Sequence, residues 1–148
     1  MKKNQVGTIS WTDLTVPDAV RVSEFYAAVV GWKTMGIDMG GYQDFCMMPP
    51  GSKKPAGGIC HARGDNQKLP AQWLVYITVA DLRASLKTCL AQGGKIVAPL
   101  RDMGMGKMAV VQDPAGAVAA LFEHAVAAPK KKAKAIKAGK PKSAAKAR

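Results

Sequence analysis

The sequence predicts an α+β fold made of two tandem βαβββ modules, and three observations support this prediction. The first is an internal repeat, in which the run Thr-Val-Pro-Asp at 15–18 returns as Thr-Val-Ala-Asp at 78–81. The second is that each Asp follows a run rich in β-branched and aromatic residues, which is typical of a strand. The third is that apolar residues at helical spacing follow each Asp, which indicates an amphipathic helix.

Each module is expected to open with a strand followed by a capped helix. The two strands are predicted at 7–16 and 73–79. Asp18 and Asp81 stand where an N-cap carboxylate accepts a backbone N–H of the first helical turn. Gly31 and Gly94 stand where each helix should end, since glycine readily adopts the left-handed conformation of a C-cap.

Three shorter strands are expected to complete each module. In the first module they are predicted at 32–35, 45–48 and 58–62, and in the second at 95–98, 108–111 and 117–123. A Pro-Ala-Gly turn precedes the last strand in both modules, at 55–57 and 114–116. This shared turn offers a landmark for aligning the two last strands.

The positive charge is concentrated at the C-terminal end. The chain has 148 residues, 22 Lys and Arg against 10 Asp and Glu, and a formal charge of +12. Nine of the basic residues lie within 130–148, which has no acidic or aromatic residue. Such a segment buries too little apolar surface to offset its ordering entropy, so we expect it to be disordered. The expected organisation is a folded unit at 1–127, with modules at about 6–63 and 70–125, and a tail at 128–148.

Several protein classes are disfavoured by composition. The cysteines, Cys46, Cys60 and Cys89, are odd in number and widely spaced, which argues against a disulfide framework or a Cys-rich zinc site. No apolar run approaches the ~20 residues of a membrane helix. The residues after Met-Lys-Lys are too polar for a signal-peptide core. A cytoplasmic protein without a membrane span is expected.

Four phrases carry a family resemblance: TVPD, EFYAAVVGW, VADLRASLKTCLAQGGKIV and VQDPAGAVAAL. Their order and spacing resemble the vicinal oxygen chelate superfamily, which includes glyoxalase I, bleomycin-resistance proteins and extradiol dioxygenases. The resemblance covers 6 to about 125. It implies that the modules form a curled eight-stranded mixed sheet around a cavity, with the helices outside. Because members of the family often pair, it also leaves a homodimer open.

The resemblance places four metal-ligand positions, by analogy with metal-dependent members. Counting from the capping Asp and from the Pro of the turn gives Trp11, His61, Leu74 and Ala120. Only His61 carries a metal donor, and a divalent ion needs several. No metal and no cofactor is therefore expected, with a displaced site at Glu123 and His124 as the alternative.

Strand alternation then predicts the cavity wall. The expected ligand-binding residues are Trp11, Asp13, His61, Leu74, Tyr76, Ala120 and Phe122. Further wall positions are Ile59, Arg63, Thr78 and Val118. The opposite face, expected to pack against the helices, holds Leu14, Val16, Val75, Ile77, Val79 and Leu121. His61 and Asp13 are the candidate proton-transfer groups. The alternatives are a partly buried histidine with its hydrogen bonds satisfied at His61 and an ordinary exposed acid at Asp13, while Trp11 and Tyr76 could equally be packing residues.

Three functional hypotheses follow. The first is a small-molecule-binding protein of the glyoxalase and bleomycin-resistance fold that lacks the usual metal ligands. The second is an enzyme, either a glyoxalase-like lyase or isomerase or a dioxygenase relative. The third is a nucleic-acid-associated protein acting through its tail, which resembles linker-histone tails and could neutralise phosphates without reading sequence. An anionic membrane surface and a merely solvated tail are alternatives. The tail cations are Lys130, Lys131, Lys132, Lys134, Lys137, Lys140, Lys142, Lys146 and Arg148.

Overall fold

The computed structural model describes residues 5–126, in which two βαβββ modules share one sheet. Module one contains β1 (Ile9–Val16), α1 (Ala19–Val30), β2 (Lys33–Asp38), β3 (Gln43–Met48) and β4 (Gly57–His61). Module two contains β5 (Trp73–Thr78), α2 (Leu82–Ala91), β6 (Lys95–Asp102), β7 (Gly106–Gln112) and β8 (Val118–His124). A short 3-10 turn, Gly64–Asn66, lies in the connection between the modules. The predicted fold class is confirmed.

The eight strands form an open mixed sheet in the order β2-β3-β4-β1-β5-β8-β7-β6. The first strand of each module runs parallel to the last strand of the same module. The modules meet where β1 pairs antiparallel with β5, with Trp11 opposite Tyr76 and Asp13 opposite Leu74. The repeat in the sequence is thus a repeat in the sheet, with the module junction at its centre.

The helix caps agree with the sequence prediction at three of four positions. The Asp18 carboxylate accepts the Arg21 N–H at 3.0 Å, and Gly31 ends α1 with a φ of 81°. The Asp81 carboxylate caps α2 in the same way. The prediction for Gly94 is wrong, because α2 ends at Ala91 and its C-cap is Gln92.

Gly93, with a φ of 86°, supplies the left-handed residue after α2. Gly94 has a different role, because a Cβ there would lie 2.5 Å from Cys89 Sγ and 3.0 Å from two backbone oxygens. It is needed for the close approach of the helix end to β7 rather than for its backbone conformation.

Both helices cover the same face of the sheet. Beneath α1 lie Leu14, Val16, Met47 and Ile59, and beneath α2 lies a cluster built on Leu82, Leu86 and Ala109, with Val79 and Leu121 against it. Packing against the helices is confirmed for Leu14, Val16, Val79 and Leu121. The prediction that Ile59 lines a cavity is wrong, because Ile59 pairs with Leu14 and therefore faces α1.

The tail and the first four residues lie outside the described part of the chain. The expected disorder of 128–148 and the nucleic-acid role of its nine cations therefore stay predictions. Within residues 5–126, neither helix has the length and apolarity needed to cross a bilayer.

Candidate functional site

The Asp13 carboxyl lies on the sheet face opposite the helices, here called the helix-free face. It sits near the module junction, where Trp11 Nε1 donates to Asp13 Oδ1 at 2.6 Å and the Tyr76 hydroxyl lies near enough to influence the pKa of the carboxyl. Trp11 and Asp13 come from β1 and Tyr76 from the adjacent β5. Two aromatic side chains with polar ends therefore hold one carboxyl group at the centre of the sheet.

Gly58 makes room for this carboxyl. It is buried on β4 directly opposite Asp13, and a Cβ there would lie well inside 3.0 Å of Asp13 Oδ1, closer than real Cβ atoms approach. The nearest atom of any other residue, Trp11 Cζ2, is 3.6 Å from that point, an ordinary contact distance. The glycine is required by the carboxyl rather than by its own backbone, since its φ is not positive.

Burial governs the ionisation of this cluster. It raises the pKa of Asp13 by disfavouring the carboxylate, while the Trp11 hydrogen bond and the nearby Tyr76 hydroxyl work in the opposite direction. Burial also raises the pKa of Tyr76, and the Asp13 charge adds to that increase. Tyr76 therefore keeps its proton at neutral pH. A carboxyl whose pKa is raised in this way is a common feature of functional sites.

A second polar group lies beside the first on the neighbouring strands. Asp44 Oδ1 accepts the His61 backbone N–H at 2.8 Å and lies 3.3 Å from His61 Nδ1. These two side chains are only 11% and 12% exposed. The Cys60 thiol lies near Asp44, and its pKa is raised by burial and by both nearby carboxylates. Asp44 thus contacts the His61 ring and lies near a thiol that stays protonated at neutral pH.

His61 and Arg63 both contact the ring of Tyr42. The His61 ring meets Tyr42 edge to face, with centroids 5.5 Å apart. The Arg63 guanidinium lies over the same Tyr42 ring at 4.1 Å. Alternation along β4 breaks down here, since Ile59 faces α1 whereas His61 reaches Asp44 of the opposite face.

The sheet register corrects the alignment of the two last strands. Asp13 and Tyr76 are equivalent in the repeat, and their strand partners are Gly58 and Ala120. The equivalent of Ala120 is therefore Gly58 and not His61, three residues later, as the shared Pro-Ala-Gly turn had suggested. Loops of different length follow the two turns, so the turn is a poor landmark for the strand.

This register bears on the metal site of metal-dependent relatives. The equivalent positions facing away from the helices are Trp11, Gly58, Leu74 and Ala120, and none of these side chains carries a metal donor. Among residues 5–126, no three His, Cys, Asp or Glu side chains are grouped as metal ligands. These positions do not fit a chelated divalent ion.

The displaced site considered at Glu123 and His124 is not assembled. Glu123 Oε2 accepts the Leu82 N–H at 2.8 Å and so caps the first turn of α2, on the helix-covered face. The His124 ring instead contacts Phe122 edge to face, with centroids 4.9 Å apart. The two side chains point to opposite faces, because adjacent strand residues alternate.

The remaining predicted wall residues lie together in one apolar cluster. Leu74 and Ala120 are buried there, with Tyr76, Val118 and Phe122 partly buried against them. Met108 and Val110 of β7 and Leu69 of the connecting loop fill the same cluster. Thr78 is buried too, and its hydroxyl bonds Ser10. The role of these residues in ligand binding stays a prediction.

The loop between the modules covers part of the helix-free face. Besides the Leu69 contact, Asn66 Oδ1 accepts a hydrogen bond from Arg101 Nη2 at 2.6 Å, and Gln72 bonds the Val118 carbonyl. The Arg101 charge lies near enough to Tyr76 to lower its pKa slightly against the larger effect of burial. The loop therefore narrows access to Tyr76 from the module-two side.

Two open cavities lie elsewhere on the described surface. A groove of 620 Å³ runs beside α1, and a cavity of 220 Å³ lies near His124 at the end of β8. Neither is lined by Trp11, Asp13 or Tyr76.

Sequence reasoning missed Asp44, Gly58 and Cys60. Asp44 is an acidic residue directly before the apolar run 45–48, and that pattern could have identified it as a buried polar group. The positions of Gly58 and Cys60 beside Asp13 follow from the register of β1 with β4. An alignment of the two modules by sequence did not give that register.

Comparison with known proteins agrees with this architecture. The family model described as Glyoxalase/Bleomycin resistance protein/Dioxygenase superfamily matches residues 8–121. Anthracycline biosynthesis protein DnrV of Streptomyces peucetius is 29% identical over 132 residues, covering 81% of this chain and 48% of that protein. Putative glyoxylase CFP32 of Mycobacterium tuberculosis is 28% identical over 123 residues, covering 82% and 46%. The chain thus spans about half the length of these relatives.

Solved structures share the fold at low identity. Methylmalonyl-CoA epimerase from Mycobacterium tuberculosis has a TM-score of 0.51 and 18% identity, covering 85% of this chain and 93% of that one. The Streptomyces coelicolor epimerase in complex with 2-nitronate-propionyl-CoA has a TM-score of 0.52 and 15% identity, with coverages of 82% and 99%. On the match of the family model to most of its described residues, the chain belongs to the glyoxalase, bleomycin-resistance protein and dioxygenase superfamily.

Proposed function

We propose that this protein binds a small planar molecule on the helix-free face, without the metal used by metal-dependent members of its superfamily. The observation that carries the proposal is the Asp13 carboxyl, enclosed between Trp11, Tyr76 and the Cβ-free Gly58. Burying a carboxyl group costs free energy, and a fold has no need of one at the centre of its sheet. A ligand that donates a hydrogen bond to Asp13 would use it.

The surroundings of Asp13 define the ligand's chemistry. The carboxyl accepts hydrogen bonds, so the ligand should offer an N–H or O–H group. The Trp11 and Phe122 rings and the apolar side chains of Leu74 and Ala120 favour a flat, mostly apolar body. Because Leu69 of the loop between the modules packs against this apolar cluster, we infer that binding displaces that loop.

A thermal-shift screen tests this proposal. The full chain is tested against planar amines, amides and phenols, and against an anthracycline, because one relative is named an anthracycline biosynthesis protein. Compounds that raise the Tm are retested with Asp13→Asn and Trp11→Phe, and with Glu24→Gln as a control, since Glu24 is exposed on α1 and lies on the other side of the sheet.

We expect the first two variants to lose at least tenfold in affinity and the control to bind as wild type. Binding that survives both site variants unchanged would refute the proposed site.

The Asp44–His61 pair favours one alternative, a metal-free lyase or isomerase. A carboxylate at His61 Nδ1 fixes the ring and leaves Nε2 able to accept a proton, a recurring arrangement of general bases. Loss of the hemithioacetal of methylglyoxal and glutathione is the assay, with Asp44→Asn and His61→Gln as variants. Turnover that both variants abolish while Asp13→Asn retains it would support this alternative over simple binding.

A further inference from the structure

The two edges of the sheet differ in how they are protected. On the outer strand β6, Pro99 removes one backbone donor, and the register with β7 shifts twice. Proline and bulges of this kind keep an edge strand from pairing with another chain. The other edge, β2, has neither feature, and its six residues pair with β3 without interruption. Edge β2 is thus open to a further strand.

Both faces of β2 are exposed as well. All six of its residues are exposed, including the apolar Met35 at 45% and Ile37 at 40%. Met35 and Ile37 lie opposite Cys46 and Asp44 of β3 and so project from the helix-free face. Two neighbouring apolar side chains on an unprotected edge indicate an interaction surface.

The hydrogen bonds of the β2–β3 hairpin show which backbone groups are free. Met39 N–H donates to the Tyr42 carbonyl at 2.9 Å and closes the hairpin. In an antiparallel pair, bonded and non-bonded residue pairs then alternate away from the turn. This alternation makes Thr34 and Met47 a non-bonded pair. In agreement, the Met47 carbonyl points away from β2 and accepts the N–H of Ala56, which directly precedes β4. The backbone groups of Thr34, Gly36 and Asp38 therefore point outward from the sheet.

We propose that a second copy of this chain pairs antiparallel with β2 about a two-fold axis at Gly36. A two-fold axis normal to the sheet places the helix-free faces of both copies on the same side. Two residues that lie opposite one another across the axis must therefore differ by an even number in the sequence. The axis at Gly36 places each outward-bonding residue opposite another: Gly36 opposite the partner's Gly36, and Thr34 opposite the partner's Asp38. The same register places Met35 opposite the partner's Ile37, so the two exposed apolar side chains cover each other.

This register is self-complementary, which favours a second copy over a foreign peptide. The contact between Met35 and the partner's Ile37 occurs twice, once on each side of the axis. Both contacts fall at non-hydrogen-bonded pairs of the ladder, where opposite side chains are closest. Gly36 lies on the axis, where no side chain can hold the two strands apart.

Sedimentation equilibrium on the full chain and three variants tests the proposal. Met35→Lys and Ile37→Glu each place charge against an apolar partner, while Ile96→Glu on β6 is the matched control, with Ile96 39% exposed against 40% for Ile37. We expect wild type and Ile96→Glu to dimerise with the same Kd, and each β2 variant to weaken dimerisation at least tenfold. An equimolar mixture of the two β2 variants should dimerise again, because the new ammonium and carboxylate groups then face each other.

Three results would overturn the proposal. The wild-type chain could stay monomeric up to about 1 mM, the range of weak association. The single β2 variants could dimerise like wild type, which would place the interface elsewhere. The mixture could remain monomeric although wild type pairs, which would exclude this register. None of these results depends on whether the helix-free face binds a ligand.

Discussion

Replacing Gly58 by alanine tests the packing on which the candidate site depends. The new Cβ would meet Asp13 Oδ1 far inside contact distance, so the carboxyl must move and lose its 2.6 Å bond from Trp11. A lost hydrogen bond to a charged or polar acceptor costs about 1–3 kcal/mol, and crowding a packed interior costs about 1–3 kcal/mol. Both costs arise from the same displacement of the Asp13 carboxyl, so they do not add in full. We expect Gly58→Ala to lower the free energy of unfolding by about 2–4 kcal/mol.

The same substitution should behave differently once the carboxyl is gone. In an Asp13→Ala background the nearest remaining atom is Trp11 Cζ2 at 3.6 Å, which an alanine tolerates. Alanine is better than glycine in a strand by about 0.5–1 kcal/mol, so Gly58→Ala should there be neutral or slightly stabilising. A double-mutant cycle tests this, with urea unfolding of wild type, Gly58→Ala, Asp13→Ala and the double variant followed by circular dichroism. Equal effects of Gly58→Ala in both backgrounds would show that Asp13 does not occupy the space above Gly58.

Three further predictions concern individual contacts. Because burial raises the pKa of Asp13, its contribution to stability is full below its unfolded pKa near 4 and is lost as pH rises through the folded pKa. The stability of Asp13→Asn relative to wild type, measured by urea unfolding, should therefore increase as pH rises above about 4 and level off once the pH exceeds the folded pKa, and a flat difference would contradict this. Trp73→Phe removes the 2.9 Å bond to the Tyr26 hydroxyl and should cost about 0.5–1.5 kcal/mol beyond its change in packing; Tyr26→Phe should then add little in the double variant, and full additivity would argue against the bond. Glu123→Ala uncaps Leu82 N–H and should cost about 0.5–2 kcal/mol in the same assay, whereas a neutral effect would leave the α2 cap to Asp81 alone.

The fold was predictable because its signals are local and occur twice. The capping carboxylates of Asp18 and Asp81 and the strand-like runs before them mark the same boundaries in the structure. The wrong C-cap prediction at Gly94 concerns two adjacent glycines, either of which can adopt a left-handed backbone conformation. Gly93 adopts it, whereas Gly94 packs closely against Cys89.

The site was only partly predictable because strand register is not a local property. Trp11, Asp13 and Tyr76 were identified since β1 and β5 align through the repeat, whereas β4 and β8 do not align through their turns. The alignment of β4 with β8 was wrong by three residues, so the position equivalent to Ala120 was assigned to His61 instead of Gly58. Because three is an odd number, the same error placed Ile59 on the wrong face of the sheet. Asp44 belongs to β3, a strand that the family landmarks leave out, and its partners are set by tertiary contact.

Selective ¹⁵N labelling of tryptophan allows ligand binding at Trp11 to be observed in the intact protein. The chain has three tryptophans, and two of them, Trp32 and Trp73, pack with Tyr26 near α1 and its 620 Å³ groove. The compound with the largest thermal shift is titrated while the three indole N–H signals are followed. If the ligand binds at Asp13, the Trp11 signal shifts with the binding isotherm and the other two stay in place. A shift confined to Trp32 and Trp73 would place the ligand beside α1 and contradict the assignment of the helix-free face as the binding site.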